Sequence, residues 1–335
     1  MTSSMWCARL IRIISGRGSS DLTFNLETMA GESKLTPMHD AIARHVPSGS
    51  MVLLGAQLEQ MIPFAAGHEL IRQGRRDLTL VGPISDILFD QLIGAGCVSR
   101  VMAAWVGNVS AGVGYCFRRA VEQGIPRRLE TVDYSNFTLA LALHAAALGV
   151  PFMPTYATLG SDLLKKNGNL REFPSPVSEE KLVAVRALRP DVAIINVQRA
   201  DAQGNAHVWG SLGVAIDGAR ASRKVIIVAE EIVEPEVIAS DPNRTLIPGF
   251  TVSAVVHEPG GAHPSPVQGH YGRDHAFFSE YHEQTKRVGD FENWLSRWVL
   301  QVRDRREYME TISAERYEAL RVREHAVSAP ADYGY

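Results

Sequence analysis

The chain has 335 residues, of which 45% are hydrophobic and 21% are charged, and its formal net charge is −3. This composition predicts a globular protein with one large core or two smaller ones. The small net charge and the 7% aromatic content argue against a nucleic-acid surface, and no apolar run is long enough to cross a membrane. Three cysteines without metal-ligand spacing predict free thiols in a reducing cytoplasm.

Composition also divides the chain into three parts. Residues 1–36 are rich in serine and carry scattered arginines, so we predict a disordered or mis-started N-terminal extension. Residues 37–325 are expected to form one domain, and residues 326–335 a flexible tail.

Strands and helices are predicted to alternate along this domain. A helix over residues 38–45 precedes a strand at residues 51–54, and a second helix follows on the pattern of Leu58, Met61, Ile62 and Ala65. Further strands are predicted at residues 78–81, within 98–106, and at 130–133, 191–195, 224–231 and 251–256. Further helices are predicted at residues 85–93, 136–148 and 277–323, and the polar residues 165–181 are expected to be mobile. This order predicts an α/β fold with a mostly parallel sheet, which can carry a β-rich insertion.

Two turns follow predicted strands at the edge where open parallel sheets bind ligands. Gly55, Ala56 and Gln57 follow the first strand, and the small size of Gly55 and Ala56 lets a ligand approach the backbone. The turn over residues 107–114 follows the third strand and offers Asn108 and Ser110 as hydrogen-bonding groups. Neither turn has the spacing of a Rossmann fingerprint or a P-loop.

Two acidic residues, Glu230 and Glu231, end a predicted buried strand. They are candidates for catalysis, although a structural ion pair explains them as well. No nucleophile elbow is present. The sequence thus predicts a cleft in which no complete set of catalytic residues is evident.

Four histidines cluster around a Gly-Gly turn: His257, His263, His270 and His275. Their spacing matches no zinc signature, so we predict no metal site. Either the turn directs His263 and Ser265 into a cleft, or it is an ordinary loop between a strand and a helix.

Residues 48–63 carry the opening signature of a known family. That signature is Asp-Gly, two residues, three apolar residues, Gly-Gly-Phe, three residues and Gly-x-Pro. Gly49, Gly55 and Pro63 match it, whereas Ser48, Ala56, Gln57 and Met61 depart from it. Further matches lie at His144–Gly149 with Pro151, Phe152 and Pro154, at residues 191–195, at Trp209-Gly210, at Glu230–Ile232, at Ile247–Gly249, and at Gly261–Ser265 with Gly269 and Tyr271. Over about residues 37 to 315, the chain resembles the A (alpha) subunit of a family I coenzyme A-transferase, and within that family it is most similar to the A subunit of glutaconate CoA-transferase.

The resemblance implies an open α/β sheet with helices on both faces. It implies that the partner is a B subunit, in an A2B2 or larger assembly, and in glutaconate-type members the nucleophilic glutamate belongs to B. The substrates would be a coenzyme A thioester and a carboxylic acid, for which a dicarboxylic acid is expected, with no permanently bound cofactor. By this resemblance the A subunit forms a wall of the acid site with residues of three loops: Gly55, Ala56, Gln57, Asn108, Ser110, His263, Ser265 and Gln268.

The departures at Ala56 and Gln57 predict a reshaped acyl pocket, so glutaconate itself is not the expected substrate. One alternative is a subunit of a CoA-thioester or ring-opening hydrolase, with Glu230 or Glu231 as base. In the ring-opening relatives the A subunit carries an acid in the loop after the third strand, and residues 106–114 contain none. A second alternative is a non-catalytic protein of the same fold that binds a metabolite.

Overall fold

A computed structural model describes residues 32–322 of the chain. Of the predicted N-terminal extension over residues 1–36, residues 1–31 lie outside the described part of the chain, as does the predicted tail at 326–335. Lys34 and Thr36 pair with the backbone of Val255 through two hydrogen bonds of 2.9 Å each. Residues 34 to 36 are therefore hydrogen-bonded to the domain that was predicted to begin at residue 37.

The described residues form strands and helices that largely follow the predicted order. The strands are β1 Met51–Leu53, β2 Leu78–Gly82, β3 Val98–Ala103, β4 Gly107–Asn108, β5 Gly112–Val113, β6 Glu130–Asp133, β7 Phe152–Thr155, β8 Leu170–Pro174, β9 Lys181–Arg186, β10 Val192–Ala200, β11 Ala206–His207, β12 Lys224–Ile232, β13 Thr245–Ile247 and β14 Ala254–His257. The helices are α1 Met38–His45, α2 Phe64–Arg72, α3 Asp86–Gly94, α4 Tyr115–Glu122, α5 Asn136–Ala147, α6 Asp162–Lys166, α7 Ala215–Ala221, α8 Pro235–Ala239, α9 His275–Gln284, α10 Val288–Leu295, α11 Arg305–Thr311 and α12 Ala314–Leu320.

Seven parallel strands form the centre of the main sheet, in the order β6-β3-β2-β1-β10-β12-β14. The strands β11 and β13 add an antiparallel pair beside the end of β10. The predicted mostly parallel, open sheet is confirmed. Because the seven strands run in one direction, their carboxyl ends meet at one edge of the sheet.

Both faces of the sheet are buried. Val52 and Ile226 belong to one apolar core, while their neighbours Leu53 and Ile227 belong to the other. This alternation follows from the two-residue period of a strand. Helices α1, α2, α3, α9 and α10 pack in the first core, and α5 and α7 pack in the second. Helices on both faces are therefore confirmed.

The segment between β1 and α2 is a turn, so the helix predicted to follow β1 begins later than the pattern from Leu58 suggests. Leu58 and Met61 have φ angles of 64° and 49°, in the left-handed region that interrupts a right-handed helix. Helix α2 begins only at Phe64, after Pro63. Met61 and Ile62 are both buried in this turn, and their apolar character reflects that burial. Their helix-like spacing does not indicate a helix.

The polar residues 165–181, which are predicted to be mobile, contain regular secondary structure. They include part of α6 and strand β8, and β8 pairs with β9 in a separate antiparallel sheet of order β7-β9-β8. Leu170, Val183 and Val185 are buried in the second core. Leu170 belongs to this segment, whereas Val183 and Val185 belong to β9, the strand that pairs with β8. The segment is therefore packed through β8 and its partner strand, although most of its residues are polar.

The C-terminal part is helical as predicted, but it is divided into α9, α10, a short π-helix at Ser296–Leu300, α11 and α12. Trp294, Trp298 and Val299 pack in the first core. No helix within residues 32–322 has the length and apolar character needed to cross a membrane.

Candidate functional site

Loops from five parallel strands meet at the carboxyl edge of the main sheet. The loop after β1 carries Gly55, and the loop after β2 leads to Asp86. The hairpin β4–β5 follows β3, Glu230 lies near the end of β12, and residues 258–268 follow β14. The sequence places small and ionisable residues where such sheets bind ligands.

Gly55 brings the loops after β1 and β2 into direct contact. A Cβ at this position would lie 2.0 Å from Ser85 Oγ and 2.7 Å from the carbonyl oxygen of Ile84, and the φ angle of Gly55 is 63°. The Ser85 hydroxyl donates a 3.0 Å hydrogen bond to the carbonyl of Leu54. Only glycine fits here, because both the space and the backbone angle exclude a side chain.

Ala56 and Gln57 face the interior of the protein. Gln57 is 1% exposed, and its Nε2 donates to the carbonyl of Asn196 at 3.3 Å. The carbonyl of Ala56 accepts from the backbone N–H of Val214 at 2.7 Å. Two of the departures from the family signature therefore lie in the packing behind the turn, and direct contact of Ala56 or Gln57 with a substrate stays a prediction.

Ser265 joins the turn after β1 to the loop after β14. It is fully buried, and its hydroxyl donates to the carbonyl of Glu59 at 2.7 Å. The backbone N–H of Met61 donates to the carbonyl of Pro266 at 2.9 Å in the same junction. The predicted site residue Ser265 thus holds two loops together, and in this arrangement its hydroxyl is already engaged.

His263 is fully buried, and both of its ring nitrogens have partners. Nδ1 lies 3.0 Å from the hydroxyl of Tyr308, and Nε2 lies 3.0 Å from Oδ2 of Asp274. Burial lowers the pKa of His263 to about 4. Although burial alone would raise the pKa of Asp274, hydrogen bonds from His263 and Arg316 lower it. A neutral ring therefore donates to Asp274 and accepts from Tyr308, so His263 supports the loop from within.

The two candidate carboxylates at the end of β12 have opposite surroundings. Glu230 is buried and accepts hydrogen bonds from Tyr271 at 2.7 Å, from the backbone of Gly260 at 2.7 Å and from Asn196 at 3.3 Å. Burial raises the pKa of Glu230 above its ordinary value. The side chain of Glu231 is 56% exposed, and its Oε1 lies 3.2 Å from Nε2 of His270. Glu230 is a structural acceptor, and Glu231 faces the surface.

The histidine cluster does not converge on one point. His263 binds Asp274 and Tyr308, whereas His270 lies beside Glu231 and Trp209. Within residues 32–322, no group of three or more His, Cys, Asp or Glu side chains could hold a metal ion. Gln268 is half-buried and packs against Gly210 near these residues.

The hairpin after β3 places its two predicted residues differently. Asn108 is buried, and its Nδ2 donates to the carbonyl of Phe278 at 2.6 Å. It therefore ties the hairpin to α9. Ser110 lies at the exposed tip and accepts from Arg273 Nη2 at 3.3 Å.

Asp86 and Arg273 form a buried ion pair that the sequence interpretation did not include. Arg273 Nη2 lies 2.6 Å from Asp86 Oδ2, and the two side chains are 10% and 0% exposed. Asp86 Oδ1 accepts from the backbone of Val109 at 3.2 Å. Burial raises the pKa of Asp86, while the charge of Arg273 acts against this rise. The pair joins the loop after β2 to the hairpin tip and to the segment before α9.

Glu258 is a second ionisable group that sequence reasoning missed. It follows β14 and lines a cleft of about 950 Å³ together with residues of α11 and α12, among them Met309 and Tyr317. Burial raises its pKa to about 7, and the negative charges of Asp304 and Glu230 act in the same direction. The position of Asp86 and Glu258 after parallel strands could have identified both, as it did Glu230. Arg273 gave no local signal, because tertiary folding alone brings it to this edge.

Comparisons with known proteins agree with this arrangement. Residues 35–258 match the family model described as Coenzyme A transferase. The chain is 38% identical over 281 residues to the A subunit of the 3-oxoadipate CoA-transferase of Pseudomonas knackmussii, covering 84% of this chain and 99% of that protein. It is 35% identical over 307 residues to the A subunit of the glutaconate CoA-transferase of Acidaminococcus fermentans, covering 87% and 95%.

The fold of the chain also matches that of a solved relative. The crystal structure of the Acidaminococcus fermentans glutaconate coenzyme A-transferase superposes with a TM-score of 0.84 at 34% identity, covering 90% of this chain and 99% of that one. The resemblance inferred from residues 48–63 and the later motifs is thereby confirmed. The chain belongs to the coenzyme A transferase family and is a transferase subunit of the A type.

Proposed function

We propose that this chain is the A subunit of a heteromeric CoA-transferase that moves coenzyme A between an acyl-CoA and a dicarboxylic acid. A B subunit would complete the active site and supply the nucleophilic glutamate. The relatives named above are A subunits of CoA-transferases, which supports a partner of the B type. We place the complex in the cytoplasm, on the sequence argument from unpaired cysteines.

The observation that carries this proposal is the engagement of Glu230. A carboxylate that attacks a thioester must be ionised and must present a free oxygen lone pair to the carbonyl carbon. Glu230 is buried with a raised pKa, and Tyr271, Gly260 and Asn196 occupy its two oxygens. The strand-end carboxylate of this chain is therefore suited to hold loops, and the nucleophile is best supplied from outside.

The chemistry that follows is an exchange between carboxylates. A glutamate from the B chain attacks the acyl-CoA carbonyl, and coenzyme A leaves as thiolate. The thiolate then attacks the glutamyl carbonyl of the resulting anhydride and releases the first acid, which leaves a glutamyl-CoA thioester. The acceptor acid repeats the two steps in reverse order, so the glutamate is regenerated.

Dicarboxylic acids are proposed because both acids named for the relatives, 3-oxoadipate and glutaconate, carry two carboxylates. Each has one carboxylate to receive coenzyme A and a second that can bind the protein. The altered packing at Ala56 and Gln57 supports an acid other than glutaconate.

One observation favours a second candidate, a CoA-thioester hydrolase. Glu258 has a pKa of about 7 and lines a large cleft at the end of β14. A carboxylate with such a pKa can act as a general base toward water near neutral pH. In that case water, and not a second acid, would accept the acyl group.

Reconstitution with the B-type chain from the same genome tests the proposal. The complex is incubated with acetyl-CoA, with and without glutarate, and the products are separated by chromatography. We expect glutaryl-CoA and acetate only when both chains and the acceptor are present. Free CoA and acetate without acceptor would support hydrolysis, and their loss in Glu258→Gln would assign the base.

Trapping the intermediate tests the origin of the nucleophile. Borohydride reduces a glutamyl thioester, and mass spectrometry then identifies the modified chain. We expect the modification on the B subunit. Modification of Glu230 or Glu258 in this chain, or full transfer by this chain alone, would contradict the proposal.

A further inference from the structure

We propose that the outer face of the small sheet β7-β9-β8 binds a phosphate monoester attached to a planar base, as in a nucleotide. The inference goes beyond the proposed function, because it depends neither on the acid substrate nor on which chain supplies the nucleophile. A cavity of about 310 Å³ lies on this face. That volume is within the range of small-molecule binding sites.

Strand pairing places two arginines on the same face of this sheet. Arg171 of β8 lies opposite Ala184 of β9, and Arg186 of β9 lies opposite Phe152 of β7. Because side chains alternate along a strand, Ala184 and Arg186 point to the same side, and so do their partners. Val185 between them is buried in the second core, so the arginines are on the outer face. Diagonal neighbours of this kind are about 7 to 8 Å apart, so both guanidinium groups can reach one ligand.

A small residue at the centre of this face gives the cavity its shape. Ala184 lies between longer side chains that line the same cavity, those of Phe152, Arg171 and Arg186. Gly168 lines one end, and among the described residues no atom beyond its chain neighbours lies within 4 Å of the position that a Cβ would take there. The long side chains therefore surround a depression that a small ligand can fill.

The positive charge in this cavity is not balanced within the part of the chain that the structure describes. Neither Arg171 nor Arg186 has a side-chain hydrogen bond or an ion pair there, and the described residues that line the cavity include no aspartate or glutamate. The cavity beside Arg223 differs, because it contains Asp191, whose Oδ1 lies 3.7 Å from Nε of that arginine. Two like charges on one face, without a counter-charge, favour an anionic ligand.

A phosphate monoester matches this pair of arginines better than a single carboxylate does. It carries about two negative charges near neutral pH, so it can balance both guanidinium groups. Its three oxygens can accept charge-assisted hydrogen bonds from both planar donor groups at once.

An aromatic ring beside the arginines favours a phosphate that carries a base. Phe152 is 39% exposed, and its ring lies 5.6 Å from that of Phe173 in an edge-to-face contact. This contact restricts the orientation of the ring while part of its surface faces the cavity. Nucleobases stack on exposed aromatic rings, and arginines beside them bind the attached phosphate. A nucleotide therefore uses both features, whereas inorganic phosphate uses only the charge.

Two sources share this chemistry: a free nucleotide, and the adenosine end of coenzyme A, which carries a phosphate monoester on its 3′ oxygen. The probes 5′-AMP and 3′-AMP separate them, because tighter binding of 3′-AMP supports coenzyme A and tighter binding of 5′-AMP supports a free nucleotide. Adenosine and inorganic phosphate each lack one half of the ligand, and we expect both to bind at least about 10-fold more weakly, since a charge-assisted bond or the stacking contact is lost.

Calorimetric titration of the full-length chain, alone and in complex with the B-type chain, tests the site. We expect Arg171→Gln and Arg186→Gln each to raise the Kd of the tighter-binding AMP about 10-fold or more. Ala184→Leu keeps both charges and fills the depression, so it should weaken binding as well. Arg128→Gln is the matched control, because Arg128 is exposed, lies outside the cavity and has no side-chain partner within residues 32–322. Its Kd should stay unchanged.

Three results would overturn the inference. The first is that the unmodified protein binds neither AMP at millimolar concentration. The second is a Kd that stays the same in Ala184→Leu, or in arginine variants whose thermal unfolding is normal. The third is that the arginine variants bind AMP normally but no longer assemble with the B-type chain, which would make this face a protein interface. Binding is measured without turnover, so a failure of CoA transfer tests the proposed function and leaves this result independent.

Discussion

Strand β2 has an aspartate–arginine pair near each of its ends, and the two pairs differ strongly in their exposure to solvent. Asp77 precedes the strand and lies 2.8 Å from Arg127, with 61% and 37% of the two side chains exposed. Asp86 follows the strand and lies 2.6 Å from Arg273, with 0% and 10% exposed. Both aspartates have positive φ angles, 57° and 45°. The residue types and backbone are matched, and only the surroundings differ.

The glycines that flank β1 show the same contrast. Gly49 precedes the strand with a φ angle of 85°, and among the described residues no atom beyond its two chain neighbours lies within 4 Å of the position that a Cβ would take. Gly55 follows it with a φ angle of 63° and has Ser85 Oγ 2.0 Å from that position. The amino edge of the sheet is open to solvent, whereas the carboxyl edge is closely packed and polar. That combination is unfavourable for stability alone and is typical of a ligand site.

Replacing the two aspartates should give the largest difference in stability between the two edges of the sheet. Asp86→Ala leaves a buried guanidinium without its counter-charge, and we expect a loss of about 3 to 5 kcal/mol in the free energy of unfolding. Asp77→Ala removes an exposed pair, which contributes about 1 kcal/mol or less. Urea denaturation measures both.

The shared positive φ angle makes the aspartate comparison a controlled one. Alanine is disfavoured in the left-handed region by about 1 kcal/mol at either site, so this contribution cancels in the difference between the variants. Equal losses in the two variants would show that burial of the Asp86–Arg273 pair does not affect the free energy of unfolding.

The glycine pair should give the next largest difference. Gly55→Ala forces both a backbone strain and a collision with Ser85 and the Ile84 carbonyl, and we expect a loss of about 3 kcal/mol. Gly49→Ala meets the strain alone, so about 1 kcal/mol is expected. Denaturation curves of the two variants test this, and a loss at Gly49 as large as that at Gly55 would contradict the account of close packing.

The smallest expected effect is a pH dependence at Glu258. Its pKa is raised to about 7 in the folded protein, so between pH 4.5 and 7 the folded state holds a proton that the unfolded state has lost. Stability contributed by this group therefore falls as pH rises through that window. Glu258→Gln removes the titration, and its stability relative to the unmodified protein should be about 1 to 2 kcal/mol higher at pH 8 than at pH 5.

The measurement at pH 5 is the internal control for Glu258, because the carboxyl group is protonated there in the folded protein and resembles the amide. Urea denaturation at both pH values gives the difference. A difference between the two proteins that does not change with pH would mean that the carboxyl group is not shielded from solvent in the cleft.

The order of strands and helices could be predicted because it depends on local patterns. The buried runs of β10 and β12 are continuous, as in parallel strands covered on both faces, and most residues of α5 are apolar. The errors arose where tertiary contacts outweigh local pattern. Met61 and Ile62 suggested a helix because they are apolar, but they are buried against the loop after β14. Residues 165–181 were expected to be mobile because they are polar, but β8 within them pairs with β9, in which Val183 and Val185 are buried.

Among the candidate site residues, position along the chain was predictable but the direction of the side chain was not. Gln57, Asn108, His263 and Ser265 lie in the expected loops, yet each is buried and bonded to the protein itself. A residue that ends a strand can face the ligand or the interior, and the choice depends on neighbours distant in sequence.

By itself, the sequence determined the family, the parallel α/β fold and the edge of the sheet where chemistry belongs. Hydrophobic periodicity, glycines at strand ends and motif spacing involve residues that are close in sequence, so they can be recognised without a structure. The tertiary structure alone decided that Glu230 is engaged and that Arg273, which lies 187 residues after Asp86, forms a buried ion pair with it at that edge. Burial and the pairing of charges depend on which distant segments meet, and no local pattern encodes that.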